Sequence, residues 1–138
     1  MACRQTGFTY LWVLVAVAIV GVGLAAAAEV WSTAAERQRV AQADWAGAQY
    51  VQAIAGYYEY TPGLVKAYPA TLDELLEDRR GGTVRRHLRA RYDNPLTADR
   101  QWQLVRGGDA RIRGVRLLFR GANGLMERVY VHVPTLAG

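Results

Sequence analysis

Between Arg4 and Glu29 the chain carries no charged residue. That gap, and the apolar run 8–28 inside it, limits the fold more than any other feature. As a helix rising about 1.5 Å per residue the run would cover about 31 Å. The hydrocarbon core of a bilayer is about 30 Å thick. Trp31 follows the first acid, at a place that suits an indole in a headgroup layer. Positive charge before the run and none directly after it favour a cytoplasmic N-terminus.

Three readings of the run stay open on composition alone. It can be a plain signal anchor. It can be a secretory signal peptide cut near Ala25-Ala26-Ala27-Ala28, although an h-region is usually about 7–15 residues long. Or residues 1–7 are a short polar leader, cut between Gly7 and Phe8, with the apolar helix kept.

Residues 29–138 suffice for one small domain and not two. The one cysteine, Cys3, lies in the leader, so a chain starting at Phe8 has neither a disulfide nor a cysteine metal site. The first proline is Pro62, so nothing forces a break between Phe8 and about Tyr58. Gly21, Gly23, Gly47 and Gly56 each weaken that helix by about 1 kcal/mol. Ala41, Trp45, Ala48, Val51, Ile54, Ala55 and Tyr58 recur at spacings of three and four and predict its buried face, with Glu36, Arg37, Arg39 and Asp44 mostly elsewhere. The helix should fray near Gly56. Residues 57–63, with Pro62-Gly63, read as aromatic loop and turn.

Thr71-Leu72-Asp73-Glu74 reads as a capping box opening a short helix to about Asp78. Arg79-Arg80-Gly81-Gly82 ends it, and a second short helical piece is expected over 84–92. After the turn at Asp93-Asn94-Pro95 come three strand candidates, 101–106, 114–120 and 126–133. Their alternation places Trp102 with Leu104, and Val115 with Leu117 and Phe119. In the third strand Met126, Arg128, Tyr130 and His132 share one side, and Val129, Val131 and Val133 the other. Gly107-Gly108-Asp109 and Gly121-Ala122-Asn123-Gly124 are the turns between them. Short links predict an antiparallel meander packed on the exported half of the long helix, an α+β fold.

Gly7-Phe8-Thr9-Tyr10-Leu11 and the apolar residues 13–20 resemble the N-terminal signature of type IV pilins and of type II secretion pseudopilins. Segments 68–76, 85–88 and 93–97, with Trp102 downstream, resemble the variable domain of pseudopilins of the major-subunit-like group. The resemblance implies a pilin-like fold with the layout 1–7 leader, 8–28 transmembrane half-helix, 29–58 exported half-helix and 59–138 periplasmic domain. It implies cleavage between Gly7 and Phe8 by a prepilin peptidase and N-methylation of Phe8. It implies an inner-membrane protein that joins other pseudopilins in a helical periplasmic filament, driven by a secretion platform and its cytoplasmic ATPase. Trp12 stands where the family usually has a glutamate that pairs with a neighbour's N-terminal amine, a pairing that spares both charges the cost of standing alone in a low-dielectric place. The indole offers a π face to that ammonium instead, and family members without the acid are usually minor subunits. Major pseudopilins bind calcium near the end of the sheet, but no acid-rich loop matches here, and no metal or cofactor is expected.

Catalytic patterns are missing from the sequence, and no enzyme is expected. His87 and His132 form no ligand-spaced pair, and His87 reads as a surface residue among arginines. Ser32, the single serine, stands in no nucleophile motif. Arg79, Arg80, Arg85, Arg86, Arg89 and Arg91 form a candidate basic contact patch for DNA, anionic lipid or an acidic partner. The simpler reading, which ranks higher, is a solvated face partly neutralised by Asp73, Glu74, Glu77 and Asp78. The alternative to a secretion pseudopilin is therefore a minor type IV pilin or a DNA-uptake protein of the same build, with nucleic acid as the lesser partner.

Overall fold

The computed structural model describes residues 6–121 and 124–134, and all their side chains except those of 6–8 and 25–30. The chain divides into two compact units, Met1–Gln38 and Arg39–Gly138. Helix α1 covers Thr6–Glu59, and a single-turn helix α2 covers Asp73–Leu76. Strands β1 (Gln103–Arg106), β2 (Ile112–Gly121) and β3 (Gly124–Val131) follow. The sheet is an antiparallel meander in the order β1-β2-β3. The α+β class, the long first helix and the three-stranded antiparallel sheet agree with expectation. Residues 122 and 123 of the expected second turn lie outside the described residues.

The buried face of α1 is Ala43, Ala46, Gly47, Tyr50, Ala53, Ile54 and Tyr57. The three-and-four spacing is as expected, but the face is rotated from the expected one. Ala41 and Ala48 are exposed, and so is half of Trp45. The cause is the neighbouring sheet. Gly47 leaves room for the Tyr130 ring of β3, and Tyr50 meets Tyr92 and Trp102 edge-on. From the sheet side come Ile112, Val115, Leu117, Phe119 and Trp102, with Tyr130 half-buried; Leu75 of α2 and the loop residues Tyr68 and Leu88 close the core. α1 also outlasts Gly56: Tyr57 and Tyr58 are helical, and the helix stops only ahead of Pro62.

Two local expectations fail for reasons visible in the hydrogen bonds. Leu72, not Thr71, is the N-cap residue of α2, and no side chain caps it. Glu74 does reach back, but to the Ala70 N–H (3.1 Å), and it also accepts from the Tyr57 hydroxyl (2.6 Å). Residues 84–92 contain no helix. Arg85 forms an antiparallel bridge with Asp78, and the His87 and Leu88 amides both donate to the Leu75 carbonyl. The Tyr92 N–H donates to the Tyr50 hydroxyl, and its carbonyl accepts from Tyr50 Oη and Trp102 Nε1, each at 3.0 Å. Backbone groups that find tertiary partners have no need of a helix to satisfy them.

Asn94 fixes the turn that leads into β1. It is fully buried; its Oδ1 accepts from the Leu96 N–H (3.0 Å) and its Nδ2 donates to the Gln101 carbonyl (3.2 Å). Asn94→Ala should therefore lower the unfolding free energy by about 1–2 kcal/mol, because the turn loses two hydrogen bonds to its half-exposed backbone. Urea titration of the full chain in micelles checks this.

Candidate functional site

Gly7 and Phe8 lie in the first turns of α1, their side chains outside the described ones. Trp12 follows Phe8 by one turn and is 62% exposed. α1 has no acid in its first turn. Every described side chain in 9–24 is exposed, among them Tyr10, Leu11, Trp12, Val13, Leu14, Val17, Ile19, Val20, Val22 and Leu24. Apolar surface on that scale marks a place that another phase or another chain covers. Among the described residues no helix is long and apolar enough to cross a membrane. The described side chains cover 9–24 of the expected span; those of Phe8 and 25–28 lie outside them.

The structure breaks the arginine patch into unlike parts. Arg80 is structural. Its guanidinium grips the Asp78 carboxylate with two bonds, Nε to Oδ1 and Nη2 to Oδ2, both 2.8 Å. It also donates to the Tyr57 carbonyl (3.0 Å) and lies 3.4 Å over the centre of the Tyr57 ring. His87 Nε2 is 3.1 Å from Asp78 Oδ2, and the imidazole is largely buried against Tyr57 rather than on the surface. The bonds from Arg80 hold the Asp78 carboxyl far below the usual carboxylate range, against the opposing effect of burial. Burial, reinforced by the bond to Glu74, pushes the Tyr57 phenol well up. This network ties the end of α1 to α2 and the 78–88 loop.

The other five arginines are exposed. Arg79 pairs with Glu77 (2.7 Å) and Arg91 with Asp73 (2.5 Å), contacts worth about 0–1 kcal/mol at such exposure. Arg85 lies 4.3 Å over the Tyr60 ring. Arg86 and Arg89 make no ion pair among the described residues. The six guanidiniums therefore do not form one free basic surface.

A second polar cluster was not legible in the sequence. Asp44 of α1 accepts from the Arg128 guanidinium and from the Tyr130 hydroxyl of β3. Burial, then Asp44, pushes the Tyr130 phenol up to about 12. A separate groove of about 590 Å³ is lined by Arg39, Gln42, Trp45, Tyr92, Asn94 and Arg100 among others. Trp45 stands edge-on to Tyr92 there, with ring centres 4.9 Å apart. A sequence spacing of 84 residues between Asp44 and Arg128 leaves no local signal. Among the described residues no three His, Cys, Asp or Glu side chains gather into a metal-sized group. Comparison with protein-family models, with curated proteins and with solved structures returned no match to this chain.

Proposed function

We propose that this chain is a pseudopilin, a structural, non-catalytic subunit of a type II secretion system. In this reading it waits in the bacterial inner membrane with its N-terminus in the cytoplasm and its domain in the periplasm. A prepilin peptidase cuts between Gly7 and Phe8, Phe8 is methylated, and the secretion platform with its ATPase moves the subunit into a periplasmic filament. The observation that carries the reading is the exposed apolar surface of α1 over 9–24, directly behind the Gly7-Phe8 junction. Lipid would cover that surface before assembly, and neighbouring helices afterwards. The order of long helix, loop, one-turn helix and antiparallel meander supports a pilin-like fold. Trp12, exposed one turn after Phe8, suits a specialised low-copy subunit in which an indole face meets the ammonium of a neighbour. The DNA-uptake alternative has less behind it. Three of the six patch arginines are tied to carboxylates and a fourth lies on a tyrosine ring.

The test is the N-terminus of protein extracted from membranes, read by mass spectrometry. A methylated start at Phe8 is expected, and Gly7→Leu should leave the uncut precursor. A start near Ala28 or Glu29, or normal processing of Gly7→Leu, would overturn the reading.

A further inference from the structure

β3 closes the sheet on one side, and among the described residues no strand lies beside its outer edge. The register shows which of its backbone groups are left over. The His132 N–H donates to the Arg113 carbonyl (2.9 Å). In an antiparallel ladder that phase repeats every second residue, so Tyr130, Arg128 and Met126 turn their N–H and C=O toward Val115, Leu117 and Phe119 of β2. Leu125, Glu127, Val129 and Val131 turn theirs outward, and none of these groups is bonded elsewhere among the described residues.

The side chains of the same four residues lie on the sheet face opposite Tyr130, which packs against α1. Val129 is 53% exposed and Leu125 73%. The two edges of the sheet differ. β1 is four residues long, its register shifts between Val105 and Arg106, and the Arg106 guanidinium caps the Ala70 and Ala110 carbonyls. β3 has eight residues in unbroken register, without proline. Its charges are already engaged, Arg128 by Asp44 and Glu127 by Arg116. Edge strands are ordinarily blunted by free charge, proline or a bulge, and none of these protects β3.

We propose that the outer edge of β3 receives an extended segment of another protein as a fourth strand. A row of outward donors and acceptors at every second residue is complementary to an extended backbone and to little else. The valines ask for apolar side chains at alternate positions. Arg120 stands opposite Leu125 on the same face without an ion pair among the described residues, and it calls for a carboxylate at that end of the incoming strand. A second copy is the poorer occupant, because each chain brings Arg120, without an ion pair among the described residues, beside the edge and carries a net charge of +5.

The test titrates the full-length chain in detergent micelles with the heptapeptide acetyl-Val-Thr-Val-Thr-Val-Thr-Glu-amide and follows amide hydrogen exchange. The amides of Leu125, Glu127, Val129 and Val131 should slow by about tenfold or more, beside amides of Met126, Arg128 and Tyr130 that are protected from the start. Val129→Pro removes one outward donor and leaves the ladder to β2 intact, so affinity should fall about tenfold. If that variant loses the protection at Met126, Arg128 and Tyr130, Val129→Lys takes its place, with the same loss of affinity expected. A peptide ending in Lys should bind several-fold more weakly than the one ending in Glu. No slowing at the four outward amides would overturn the proposal. So would undiminished binding to a folded Val129 variant. Protection that rises with chain concentration in the absence of peptide would also overturn it, by showing that a second copy covers the edge.

Discussion

Asp78→Ala is expected to lower the unfolding free energy at neutral pH by about 3 kcal/mol, the lower end of the range for breaking a buried ion pair. The carboxylate is almost wholly buried, with the imidazole of His87 on one oxygen and the guanidinium of Arg80 on both. Removing it leaves Arg80 without its anion but still over the Tyr57 ring and still bonded to the Tyr57 carbonyl. That remaining cover, and the partial exposure of Arg80, keep the loss from being larger. Acid gives the second signature. The Asp78 pKa is lowered on folding, so its contribution is fully present above the unfolded value of 3.8 and drains away as the pH falls below it toward the folded value. Wild type should therefore lose stability below about pH 4 more steeply than Asp78→Ala, and the gap between them should narrow. Urea titrations of both proteins at neutral pH and in the acid range measure this. Parallel curves at every pH would show that Asp78 has no special hold on Arg80.

How much of this architecture a reader of the sequence could see depended on whether the signal was local. β2 and β3 were legible because Val115, Leu117 and Phe119 alternate and glycines punctuate the turns. The length of α1 was legible because no proline interrupts it before Pro62. Its buried face was not, because Trp45 and Val51 are bulkier apolar side chains than Ala43 and Ala46 and read as the core, while the true face includes Gly47, against which the Tyr130 ring lies. The Thr71 cap failed in the same way: Glu74 found the Ala70 amide and the Tyr57 hydroxyl, which is 17 residues away. His87 looked like one more polar residue in an arginine run. The bridge between Asp78 and Arg85, with the His87 N–H bonded to the Leu75 carbonyl, folds it inward. The Asp44, Arg128 and Tyr130 cluster has no sequence signature, since its members come from opposite ends of the domain.

Gly47 is where these two levels give opposite signs. Judged as a residue in mid-helix, it is a weakness, and Gly47→Ala should stabilise the chain by about 1 kcal/mol. In the fold a Cβ at this position would stand 2.6 to 2.8 Å from Cδ2, Cγ and Cε2 of the Tyr130 ring. The ring has little freedom to retreat, because its hydroxyl is bonded to Asp44 and its other side meets Trp102. Overpacking of this kind costs about 1–3 kcal/mol and outweighs the gain in helix propensity. Gly47→Ala should therefore lose about 1 kcal/mol, and Gly47→Val, with two further methyls and a stiff χ1 in a helix, about 3 kcal/mol. The ring itself supplies the control. In a Tyr130→Ala background the clash is gone, and Gly47→Ala should then stabilise, so the double-mutant cycle should show a coupling of about 2 kcal/mol. Thermal or urea unfolding of the four proteins reads it directly. Were Gly47→Ala to raise the melting temperature with Tyr130 in place, β3 could not lie against α1 at this turn.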